Sequence, residues 1–169
     1  MRNKQKGFSL IELLIVVAII LIIAAIAIPN LLSSKMAANE ASAVGSVRTL
    51  TTASVTYSST YGTGFPPSLV ALGGVPPATC TNADLIDSNL AGGQKSGYNF
   101  AYTGANPYAN PPPGCTGFNT FLITAVPVTI GTTGQRSFCT DQSGVVRFDP
   151  TGATPTAATC VAGTLTALQ

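Results

Sequence analysis

Gly7-Phe8-Ser9-Leu10-Ile11-Glu12, and the run Leu13–Ile28 behind it, decide how the rest of the chain is read. The run contains only Leu, Ile, Val and Ala. Counted on to Ser34, about 22 uncharged residues in a helix span about 33 Å, enough to cross a bilayer. A basic leader, residues 1–7 with Arg2, Lys4 and Lys6, precedes it. Positive charge stays on the cytoplasmic side, so the C-terminal portion is expected outside. Glu12 is the anomaly, because an ionised carboxylate inside a membrane span costs about 2.5–3.5 kcal/mol on insertion scales.

An ordinary secretory signal offers a competing reading: a basic start, an apolar core and a small-x-small site at Ala25-Ile26-Ala27. It would release a binding module beginning at Ile28. The core is long for a signal peptide, and an acid at its head has no purpose there. The kept-helix reading is therefore preferred.

From Lys6 to Ile20 the sequence resembles the class III signal of type IV pilins and pseudopilins. The resemblance covers about the first thirty residues. It implies that a prepilin peptidase cuts between Gly7 and Phe8, N-methylates Phe8 and leaves the apolar helix on the mature protein. Physical chemistry supports the same use of these residues. Gly7 lets a protease approach the backbone. Cleavage gives Phe8 an amine four residues before Glu12. Amine and carboxylate of neighbouring subunits could then neutralise one another, which rewards correct axial register. Glu12 snorkelling to the cytoplasmic interface is the plainer alternative.

Pro29 cannot donate to the carbonyl of Ala25, and a proline costs about 3 kcal/mol in a helix interior. Either one helix ends at Ile28 and another begins, or a single helix kinks, as the resemblance implies. Both place a weak point near residues 24–30. Beyond it, Ala43, Val47, Leu50, Tyr57 and Tyr61 recur at helical spacing, with Ser54 in the missing position. One helix from Phe8 to about Thr60 would be about 80 Å long. Gly62-Thr63-Gly64 and Pro66-Pro67 end it.

Five segments follow from this reading: leader 1–7, membrane or filament-core helix 8–34, amphipathic helix 35–61, connecting loop 62–97, and a disulfide-tied sheet region 98–169. The loop carries one helical turn, at Ser68–Leu72. Strands are expected at Tyr98–Tyr102, Phe118–Val128, Arg136–Thr140 and Val145–Asp149, with Asp141–Gly144 as a hairpin turn. The fold class is α+β, a long N-terminal helix packed through its second half on an antiparallel sheet of three or four strands. Four cysteines without a C-x-x-C spacing fit an exported domain with two disulfides. Three pairings are possible. Cys80–Cys115 with Cys139–Cys160 is preferred because each closes a local loop of about 20–35 residues, worth about 3 kcal/mol.

Several function classes fall away. Without histidine there is no Ser/His or Cys/His nucleophile, so no catalytic residues are assigned and no enzyme is expected. Outside the leader, Lys35, Arg48, Lys95, Arg136 and Arg147 are scattered, which makes no nucleic-acid face. Asp84 with Asp87, or Asp141 with Asp149, supplies too few carboxylates for calcium, and capping of turns suits them better. No metal or cofactor is expected. The 12 aromatic residues, five Tyr and seven Phe, fit core packing.

The expected function is a filament subunit that polymerises with itself. By resemblance its partners are the inner membrane before assembly, prepilin peptidase, and an assembly machinery with an ATPase and an outer-membrane pore. The destination is the cell surface. A pseudopilin of a type II secretion system is the alternative.

Overall fold

A computed structural model of the chain describes residues 8–161 and 164–168. The chain divides into two compact units, Met1–Lys35 and Met36–Gln169. Helix α1 spans Leu10–Tyr61 and contains Pro29 in its interior. It is long and apolar enough to cross a membrane.

In the first unit no described residue covers the helix. Its large apolar residues from Leu10 to Leu32 are between 41% and 76% exposed. A surface so apolar is stable only when lipid or another chain takes the place of water.

In the second unit α1 buries a stripe comprising Glu40, Ala43, Val47, Leu50, Ser54 and Tyr57. The spacing alternates between three and four, which keeps one face toward the sheet. Small buried Ala43, Ala53 and Ser54 let sheet aromatics approach the helix. Ser54 discharges its hydroxyl onto the Leu50 carbonyl at 2.7 Å.

The sheet is antiparallel, in strand order β1-β2-β3-β4-β5-β6. Its strands are β1 Gln94–Lys95, β2 Tyr98–Pro107, β3 Phe118–Pro127, β4 Ser137–Asp141, β5 Arg147–Asp149 and β6 Thr166–Ala167. The expected three or four strands become six, because two-residue strands close both edges. β1 forms when Ser96 and Gly97 both take positive φ, 50° and 73°, and fold Lys95 back onto Tyr98. Two consecutive left-handed residues make the tight turn that matches strand twist. Two polar residues carry no alternation, so periodicity could not reveal this strand. β6 pairs with β5 through Arg147↔Ala167.

β2 also runs past Tyr102 to Pro107, facing Phe118. Gly104 permits this, since a Cβ there would collide with the Phe118 ring. Inward residues Tyr98, Phe100, Phe121, Ile123, Ala125 and Phe138 meet the α1 stripe in one core. Phe65 and Phe121 pack edge to face at 4.7 Å, and Tyr98 lies 5.9 Å from Phe138.

The connecting segment is more ordered than a loop. α2 Leu69–Leu72 is capped by Ser68, and α3 Ser88–Ala91 by Asp87. Phe65 bridges to Phe118, and the Tyr57 hydroxyl donates to the Cys80 carbonyl at 2.6 Å. Disulfides join Cys80 to Cys115 and Cys139 to Cys160. The first pair is half-exposed; the second is buried and ties α4 Ala157–Val161 to β4.

Candidate assembly site

Helix α1 begins at Leu10, and the reason lies in Ser9-Leu10-Ile11-Glu12. The Glu12 carboxylate reaches back and accepts the Ser9 backbone N–H at 2.9 Å. This is the return bond of a capping box, which satisfies one of the donors that every helix start leaves free. The S-x-x-E spacing is present in the sequence, although the membrane cost of the acid is the louder signal there. Glu12 therefore holds the helix start as well as carrying a charge. Phe8 is 84% exposed just ahead of the cap, and Gly7 lies outside the described residues. The site is thus an exposed aromatic residue, a capped helix start bearing one acid, and an uncovered apolar helix.

The second unit holds α1 by polar contacts that sequence reasoning missed. Glu40 is 8% exposed and is the only acid on the buried stripe. One carboxylate oxygen accepts the backbone N–H groups of Gln135 at 2.9 Å and Arg136 at 3.1 Å. The other takes Arg136 Nε at 2.8 Å and Nη2 at 2.6 Å. The guanidinium stands 5.7 Å from the Phe138 ring centre and 5.3 Å from that of Phe148. Burial opposes ionisation of Glu40, but the bonds from Gln135 and Arg136 outweigh it and hold the carboxyl below its usual range. Asn39 donates to the Thr133 carbonyl at 2.8 Å and Ser42 to Ser96 at 2.9 Å, completing a clasp. Its signal in the sequence was an acid three residues before Ala43, in register with the apolar stripe.

The carboxylates considered for calcium are occupied elsewhere, with one exception. Asp87 caps α3 through Leu90 N at 3.0 Å and pairs with Lys95 at 2.9 Å, which lowers its pKa. Asp141 accepts from the Ser143 backbone at 2.9 Å in the β4–β5 turn. Asp149 accepts from Thr151 N at 2.8 Å. No group of three His, Cys, Asp or Glu suited to a metal occurs among the described residues. Asp84 makes no side-chain bond among them.

Residues 2–28 match the family described as the prokaryotic N-terminal methylation motif. Over 40 residues the chain is 65% identical to the type IV wide pilus major component PilA4 of Thermus thermophilus. The match takes in 24% of this chain and 30% of that relative. No solved structure matches the chain. The chain covers 30% of that relative's length, so the sheet unit is described from its own structure.

Proposed function

We propose that the chain is the structural subunit of a type IV pilus, cut between Gly7 and Phe8, N-methylated on Phe8, and polymerised through α1. The observation that carries this is the methylation motif, residues 2–28, running into a helix whose apolar side chains are left exposed among the described residues. A membrane would cover them before assembly and neighbouring copies of α1 afterwards, with hydrophobic burial as the driving force. The Phe8 amine of one copy and Glu12 of another set the axial register. A capped helix start serves this use, because it fixes Glu12 against the residue that follows the new amine. The sheet unit, held to α1 by the Glu40 clasp and tied by two disulfides, becomes the outer surface. The partners are further copies of this chain, the inner membrane, the prepilin peptidase and the assembly machinery.

Electron microscopy of material sheared from cells, with antibody against the sheet unit, tests the reading. Long labelled surface fibres are expected. Label confined to the cell envelope without surface fibres would favour the secretion-system pseudopilin, and soluble labelled protein would refute polymerisation.

A further inference from the structure

The outer flank of α1 in the second unit carries a surface that the fold itself does not use. Two clefts run along it and meet at Arg48. One, of about 360 Å³, is lined by Arg48, Thr49, Thr52 and Thr56, with Leu85 as its far wall. The other, of about 350 Å³, is lined by Ala37, Ala41, Gly45, Arg48 and the mutually paired Glu40 and Arg136, with Leu168 opposite. At 3.6 residues per turn, Ala37, Ala41, Arg48, Thr52 and Val55 fall on one stripe of the helix. Val55 is 55% exposed on it. Small side chains admit another backbone, but they do not say which one. The charges do.

All six acids of the chain are among the described residues. Glu12, Glu40, Asp87, Asp141 and Asp149 each accept at least one hydrogen bond. Asp84 accepts none among the described residues and is exposed, immediately before the cleft wall Leu85. The ion pairs among the described residues are Lys95–Asp87 and Arg136–Glu40, and Arg48 is in neither. A cation in the cleft and an acid beside its wall, neither in an ion pair among the described residues, stand out on a chain that is 8% charged.

We infer that this flank is a contact with a second copy of the chain, in which Arg48 of one copy meets Asp84 of the next. The inference rests on the filament reading and names a contact of the sheet unit, separate from the Phe8–Glu12 register. Each copy presents both signs, so a head-to-tail contact can use both and propagate rather than close. Complementary charge on a sparsely charged surface selects orientation and register more than it adds affinity. Lys35, another cation outside both ion pairs and lining neither cleft, serves as the control.

The test compares sheared fibre yield from cells carrying Arg48→Asp, Asp84→Arg, the double variant, and Lys35→Glu combined with Asp84→Arg. Each single reversal is expected to lower yield several-fold while the detergent-extracted subunit keeps its Tm. The Arg48/Asp84 double variant restores yield, and the Lys35/Asp84 combination does not. Unchanged yield in the single variants, or a double variant no better than either, overturns the contact. So does a fall in subunit Tm that accounts for the lost fibres. Absence of fibres from the unaltered chain would refute the filament reading itself, and the contact with it.

Discussion

Replacing Glu40 tests whether the second half of α1 is held to the sheet by a buried charge as well as by apolar packing. Glu40→Ala removes four contacts at once: two backbone donors on one oxygen and two guanidinium donors on the other. The N–H groups of Gln135 and Arg136 lose their acceptor, and a buried unpaired donor costs about 1–3 kcal/mol. Breaking a buried pair by removing one partner typically costs about 3–5 kcal/mol. Arg136 is 40% exposed and can turn toward water, so the low end applies, about 3 kcal/mol. For a unit of this size that is a fall in Tm of about 10 °C. Thermal unfolding of the detergent-extracted chain, followed by circular dichroism, reads it. The pH dependence has a definite sign. The folded carboxyl sits below its ordinary value, so its contribution is complete above about pH 4.5 and is lost as pH falls through the depressed folded value. The wild-type chain should therefore lose stability below pH 4.5 more steeply than Glu40→Gln, which cannot titrate. A Tm within about 2 °C of wild type for Glu40→Ala would refute the clasp.

Three further outcomes follow from named contacts. Leu50→Ala, at a fully buried position facing the sheet aromatics, should cost about 2–5 kcal/mol by leaving a cavity, measured by the same unfolding experiment. Mild reductant followed by alkylation and peptide mapping should label Cys80 and Cys115 before Cys139 and Cys160, because the first pair is half-exposed and the second is interior; simultaneous labelling would contradict the burial argument. Glu12→Gln keeps an oxygen for the Ser9 N–H and loses only the charge, so it separates the helix cap from the register role. Fibre assembly should fail in Glu12→Gln and in Glu12→Ala alike, with membrane insertion intact; normal fibres from the glutamine variant would assign Glu12 to capping alone.

Where the sequence spoke in periods, it spoke clearly. The apolar run of α1, the stripe through Val47, Leu50, Ser54 and Tyr57, and the alternation in β2 and β3 all follow from burial on one face. The edge strands did not, because two-residue β1 and β6 are made by a turn and a tail contact. α3 and α4 are likewise too short to show a period. β2 outruns its expected end at Tyr102 because the Gly104-Ala105 stretch looks like a turn until Phe118 is seen lying across it. The Glu40 clasp was illegible for a different reason. Its partners lie 95 and 96 positions away, and no local pattern pairs an acid on a helix with backbone groups in a distant loop.

Mass spectrometry of the N-terminal peptide from sheared surface material tests the central claim most directly. The account predicts a chain that begins at Phe8, carries a methyl group on its amine and retains Glu12 and the whole apolar helix. A chain that begins at Ile28, or an uncut leader on assembled fibres, would contradict it.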